Sequence, residues 1–388
     1  MLLRLGLWLI TLFCLAGFAE LGARGFYGGV PQSPPRPDSV QLPATLIEPD
    51  PVLGQRFRAN ASHFFTSAHG EFAVNYQINE ISLREPGMIF PGRPPPHVIV
   101  VGDAFAEGWG VMREATFVKE LQRQLRQRDD ISRYTRVFNA GMTGYGAAQS
   151  YLQGRRLLEQ IGADVVVFLY TGLMPVMDYR FLKTARTDQQ GIVERAGATS
   201  LQSQAVAAPA GASAFVNWLS ASYGAMQARE RIRFGDPESD LFAAAREPAV
   251  NVTALHRRSL DHALALNRIA AKQGARFLFV HIPLAHQVSS DEWRIGRQTF
   301  GFDNKRYSIP ESELLQSYCD SEFEACLLMA QTLSELSARF SGAVYFQHDY
   351  ALNEHGHRAL VNEMIGPVHT ALAGRGQPER YIIGTRKN

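Results

Sequence analysis

From residue 97 onward, short unbroken apolar runs alternate with longer stretches in which apolar residues recur every three or four positions. The first run, Val98-Ile99-Val100-Val101, is β-branched throughout and ends in Gly102, the pattern of a strand buried on both faces. A helix is predicted from Thr116 to Arg128, a second strand from Arg136 to Asn139, a helix from Ala147 to Ile161 and a third strand from Asp164 to Tyr170. Further along, a helix from Thr253 to Gly274 precedes a strand from Arg276 to Ile282. A helix from Leu327 to Phe340 precedes a strand from Ala343 to Phe346, and a helix from Glu354 to Ala373 closes the series. Strand alternating with helix predicts a parallel sheet in a three-layer α/β/α fold, whose ligands sit at the carboxyl ends of the strands. Ahead of it, Glu71 to Ile78 alternates polar and apolar, as a half-buried strand does.

Two segments interrupt the alternation. Residues 184–250 are rich in Ala, Gln, Ser and Gly with one helix predicted from Phe215 to Phe234, and residues 291–324 are polar and irregular. Both read as insertions over the site face, in the manner of a lid or a partner surface. Upstream, Pro31, Pro34, Pro35, Pro37, Pro43, Pro49 and Pro51 suit an extended tether without packed elements. Leu5 to Ala19 is apolar and uncharged behind Arg4, the composition of a signal peptide or a short signal anchor. Either one sends the rest of the chain across a membrane. The expected organisation is therefore a targeting or anchoring segment over 1–24, a tether over 25–63, one domain over 64–374 and a tail over 375–388.

Composition narrows the function classes. The chain has 388 residues, 46% of them hydrophobic, enough for a large core, and 39 Lys+Arg against 37 Asp+Glu leave a formal net charge of +2. With no basic block, nucleic acid is not an expected partner. Cys319 and Cys326 stand seven positions apart, and in an oxidising compartment they can close a local disulfide, the alternative being two unpaired thiols. His281, His286 and Asp178, taken with Asp103 and Asp349, lack compact ligand spacing, so no metal is expected. The glycines Gly141, Gly144 and Gly146 lack the residues of a nucleotide-binding loop, and no cofactor is expected.

The turns that follow the predicted strands resemble the sequence blocks of the SGNH/GDSL hydrolases, esterases and acyl-transferring enzymes with a flavodoxin-like three-layer fold. Val98 to Val111, containing Gly102-Asp103-Ala104-Phe105, resembles the first block, written Gly-Asp-Ser-Phe in that family. Phe138 to Gly146 resembles the second, whose glycine, Gly144 here, donates a backbone N–H to an oxyanion. His348 to His357 resembles the last, which carries the catalytic carboxylate and histidine. Ile78-Asn79-Glu80-Ile81-Ser82-Leu83-Arg84 resembles the strand and turn that precede the domain in envelope-associated members.

The departures decide what the resemblance implies. Ala104 holds the nucleophile position, and a methyl group does not attack an acyl carbon. With Asp349 as the carboxylate, the base position falls on Ala351, which has no proton-accepting side chain. Leu173 stands where an oxyanion-binding Asn is expected. Asp103, Gly144 and Asp349 remain of the family's site. A rescued mechanism would use Thr143 with His355 or His357. The first expectation is an anchored, extracytoplasmic protein on the periplasmic side of a bacterial inner membrane. It would be catalytically degenerate and would bind a glycan, an acylated polymer or an envelope assembly protein, in exopolysaccharide assembly or acetylation. The alternative is an active carbohydrate esterase or O-acetyltransferase working through displaced residues.

Overall fold

The computed structural model describes residues 17–18, 42–43, 45–67, 69–85, 97–128, 130–131, 133–197, 252–299, 302–340, 344–373 and 381–382. The segment predicted as a signal peptide or anchor, the helix predicted over 215–234 and most of the insertion over 184–250 lie outside the described residues. Among the described residues no helix is long and apolar enough to cross a membrane.

Two small antiparallel hairpins come first: β1 (Ile47–Asp50) with β2 (Gly54–Phe57), and β3 (Ser62–Thr66) with β4 (Ala73–Gln77). They are followed by β5 (His97–Gly102), the short helix α1 (Ala104–Glu107), α2 (Phe117–Arg126), β6 (Arg136–Gly141), α3 (Ala147–Gln160), β7 (Val165–Thr171) and α4 (Met174–Leu182). A third hairpin, β8 (Arg186–Thr187) with β9 (Val193–Arg195), precedes α5 (Val252–Lys272), β10 (Arg276–Ile282), α6 (Ala285–Val288), α7 (Arg294–Thr299) and α8 (Ser312–Ser321). The chain then forms β11 (Ala325–Leu328), α9 (Ala330–Phe340), α10 (Glu354–Ala373) and β12 (Tyr381–Ile382).

Six strands form one parallel sheet in the order β12-β11-β10-β7-β5-β6. The unbroken apolar runs place it between two cores, because alternate side chains of one strand face opposite layers. In β5, Ile99 and Val101 enter the core under α3 and α5, while Val98 and Val100 enter the core under α2 and α10. In β7, Val166, Phe168 and Tyr170 take the first side and Val165, Val167 and Leu169 the second. The expected parallel three-layer α/β/α arrangement is present.

Three expectations are corrected. The tether expected through residue 63 stops earlier, because Leu46, Leu53 and Phe57 interrupt the proline-rich stretch and are buried, which folds β1, β2 and β3 onto the domain. Of the strand expected from Ala343 to Phe346, the described residues 344–346 supply only a bridge between Tyr345 and Leu352. The strand beside β10 is Ala325–Leu328, four residues whose apolar signal is too short to separate from the helix after it. Finally, the described residues of 291–324 are packed rather than lid-like. Trp293 is fully buried and donates its indole N–H to His348 O at 3.0 Å. The Glu292 carboxylate accepts the backbone N–H groups of Val344 and Tyr345 at 3.0 Å each.

Candidate functional site

The site is built where β5, β6 and β7 end. After β5, Asp103 caps α1 by accepting the Phe105 N–H at 2.9 Å, and its second oxygen accepts the Thr171 hydroxyl from the end of β7 at 2.6 Å. Burial pushes this carboxyl up to about 6, against the pull of both hydrogen bonds. Asp103 thus ties two strand ends together and is itself sealed from solvent. Ala104, in the expected nucleophile position, is 2% exposed.

β6 delivers the second turn. Gly141 permits its approach to α1, since a Cβ there would meet Glu107 N at 2.3 Å. Thr143 is buried and gives its backbone N–H to the Glu107 carboxylate. Gly144 adopts φ +89°, a left-handed conformation that favours glycine, and is exposed. Leu173, in the expected Asn position, is 1% exposed and belongs to the core under α2 and α10, so it offers the site no polar atom.

Asp349 is held at the last block. Its Oδ1 accepts the Ala351 N–H at 3.0 Å, and its Oδ2 accepts the indole N–H of Trp109 at 2.8 Å. Burial pushes it up to about 6. The donor that a triad histidine would present to this carboxylate is therefore replaced by an indole, which has no lone pair to act as a base. Ala351 is 1% exposed and shares one apolar cluster with Ala104, Trp109, Tyr145 and Tyr76.

The three residues considered for a rescued mechanism engage separate partners. The His357 ring stacks on Phe117 and its Nδ1 accepts the Phe117 N–H at 3.2 Å, with burial lowering its pKa to about 3. A neutral ring fixed in that way caps α2. His355 lies over Phe340 between α9 and α10. Neither ring is hydrogen-bonded to Thr143. Cys319 and Cys326, from α8 and β11, are bonded through their sulfur atoms, with Cα atoms 5.6 Å apart.

Several residues that shape the site carry no individual signal of their role in the sequence. The guanidinium of Arg84, 1% exposed, donates to Glu107 O at 2.8 Å, Gly108 O at 2.7 Å and Val111 O at 2.7 Å, and lies 3.8 Å from the Tyr76 ring centre. The Tyr76 hydroxyl donates to the Glu107 carboxylate at 2.6 Å. Burial raises the Glu107 pKa, while Tyr76, Arg84 and Thr143 oppose the rise. A second buried group lies where β7 and β10 end. The Tyr170 hydroxyl and His256 Nδ1 are 2.7 Å apart, and Glu311 faces His256 Nε2 at 3.9 Å and His281 Nε2 at 3.5 Å. Asp178 accepts the Ala148 N–H at 2.8 Å and the Ser259 hydroxyl, which joins α3, α4 and α5.

What the arrangement offers chemically is a buried floor with one exposed turn glycine and two protected carboxyl groups, and no paired nucleophile and base at the expected positions. No known family model and no curated protein matches the chain. Among solved structures it is similar to TesA, with 13% identity, 71% of this chain and 99% of that chain covered and a TM-score of 0.38. It is similar to the acetyl xylan esterase AlAXEase, with 14% identity, 70% and 99% covered and a TM-score of 0.39. It is also similar to the psychrotrophic esterase EstA from Pseudoalteromonas sp., with 12% identity, 71% and 98% covered and a TM-score of 0.35. Likeness at this level assigns the chain to no family.

Proposed function

We propose that the chain is a disarmed SGNH-like protein that binds or scaffolds rather than hydrolyses. In this reading it is anchored by its N-terminal segment on the extracytoplasmic side of a membrane. It serves the assembly or acetylation of an envelope polysaccharide, with a glycan, an acylated polymer or an assembly protein as its partner. The observation that supports it is the burial of Ala104 and Ala351 together, 2% and 1% exposed, in one apolar cluster beside a carboxylate already satisfied by Trp109. A site that kept its chemistry would keep a nucleophile and a base facing a substrate. Once the nucleophile is gone, the base has no catalytic role left to retain.

The test is hydrolysis of a small activated acetyl ester by the natural protein, beside an unfolded control and an Ala104→Ser/Ala351→His variant. The natural protein is expected to match the unfolded control, and the variant to exceed both by a small margin, since positions 104 and 351 are buried. Turnover by the natural protein overturns the reading and returns Thr143, His355 and His357 to consideration. Envelope glycans offered with and without O-acetyl groups then test the binding role, and equal failure to retain any of them removes the glycan as partner.

A further inference from the structure

The N-terminal hairpins, the first of them expected to be tether, meet the site at two separate blocks. At the second block, Gln55 of β2 accepts the Tyr145 hydroxyl through its backbone oxygen at 2.7 Å, and its Nε2 stands 3.3 Å from where a Cβ on Gly144 would lie. Gln149 Nε2 donates to Leu53 O at 2.8 Å, fastening the same hairpin to the start of α3. A charge closes this contact: Asp50 accepts the N–H groups of Val52 and Leu53 at 2.8 Å each and the Arg156 guanidinium at 3.0 Å.

At the last block, Glu71, between β3 and β4, accepts backbone N–H groups from Gln347, His348 and Asp349, the latter two at 3.0 and 3.1 Å. His69 stacks on His348 with ring centres 4.0 Å apart. Phe65, Phe72 and Tyr76 ring the Trp109 indole, at 5.3, 5.9 and 6.4 Å between centres. The floor beneath, Ala104 and Ala351, is closed to solvent, and its apolar cluster includes Leu53, Phe57 and Tyr76 from the hairpins.

We infer that residues 45–67 and 69–77 form an autoinhibitory cap: two hairpins, one fastened by Asp50 and one by Glu71, occupy the face a ligand of the disarmed site would use and must lift for that ligand to reach the floor. The inference rests on the disarmed reading only for what the uncovered face is for. The cap itself is set by contacts. Glu71 holds its hairpin through three backbone N–H groups of the last block, whereas Asp50 orders its own turn through Val52 and Leu53 and reaches the domain through Arg156 of α3, so removing both carboxylates loosens both hairpins without cutting into the sheet.

The experiment places a thiol at the floor with Ala104→Cys in the full chain. Alkylation by iodoacetamide is followed by peptide mass spectrometry, which separates this thiol from Cys14. Val100→Cys, buried in the middle of β5, reports on opening of the whole domain. The capped protein is expected to react at position 104 at least about 100-fold slower than its unfolded form. Adding Asp50→Ala and Glu71→Ala is expected to speed position 104 about tenfold and leave position 100 unchanged. Fast labelling at 104 in the otherwise natural protein overturns the cap, as does no acceleration on removing both fasteners. Equal acceleration at 104 and 100 overturns it too, since the domain then opens as one unit. Ester turnover by the natural protein would sink the disarmed reading while leaving these rates to decide the cap.

Discussion

Replacing Arg84 with Met removes the guanidinium that gathers the turn after α1 while keeping an unbranched apolar stem. Three charge-assisted bonds are lost, to Glu107 O, Gly108 O and Val111 O, together with the contact on the Tyr76 ring. At roughly 1.5 kcal/mol for each such bond and about 1 kcal/mol for the ring contact, the sum before any recovery is about 5.5 kcal/mol. Some of it is recovered. Glu107 O still accepts Asn139 Nδ2 at 3.0 Å and Gly108 O still accepts the Val111 N–H at 3.1 Å. The expected loss is about 4 kcal/mol, since the buried Glu107 carboxyl also gives up the positive charge that opposes its raised pKa. Equilibrium urea unfolding at pH 7, followed by tryptophan emission, measures it, with Trp109 at the centre of the affected region. Arg84→Lys is the control: it keeps the charge, but one ammonium does not span three carbonyls as a planar fork does, so it is expected to recover less than half. A loss under about 1 kcal/mol for Arg84→Met, or full recovery by Lys, would refute the reasoning.

Four further outcomes are expected. Asp103 and Asp349 have folded pKa values raised from 3.8 to about 6, so their stabilising effect is complete below pH 4 and is lost as pH rises through 6. Thermal midpoints across that window should fall with rising pH, and Asp103→Asn/Asp349→Asn should flatten the slope. Trp109→Phe removes the indole N–H from Asp349, and should raise the Asp349 pKa further and cost about 1 kcal/mol at pH 8 but less at pH 4, read from unfolding at both pH values. Gly141→Ala drives a Cβ to 2.3 Å from Glu107 N, a rigid backbone atom, and should cost at least about 2 kcal/mol or prevent folding, read from the yield and melting of the purified variant. Cys319→Ser/Cys326→Ser opens a bridge across a separation of seven residues and should cost about 2 kcal/mol, while intact mass with and without reductant counts the bridge directly.

What the sequence made legible was whatever repeats at short range. The runs at Val98–Val101 and Val165–Tyr170 announce two-sided burial because each residue has an apolar layer to enter, and the structure uses both layers. The alternation in 71–78 foretold β4, whose Val74 and Tyr76 point inward. The failures share a cause. Leu46, Leu53 and Phe57 are spaced too irregularly among prolines to form a period, yet each finds a place in the core. The roles of Arg84, Glu107 and Glu71 were not legible, because their partners, mostly backbone groups, are brought close only by the fold. At the site, the substitutions at 104, 173 and 351 were legible residue by residue, while the indole that substitutes for the missing imidazole was not. Trp109 and Asp349 are separated by 240 positions.

That separation, and the 278 positions between Glu71 and Asp349, also govern the order of assembly. During synthesis the hairpin bearing Glu71 emerges long before the loop whose N–H groups it holds, at a rate of about 5–20 residues per second. The N–H groups of His348 and Asp349 that its carboxylate accepts in the folded domain arrive on the order of tens of seconds later. The last block therefore does more than complete a layer of helices: its arrival fastens the first hairpins, so chain ends that are remote in time become neighbours in one step. A chain stopped before residue 344 should keep its strands β5 to β7 but hold β3 and β4 loosely, a state in which the face of the domain is exposed to whatever waits for it.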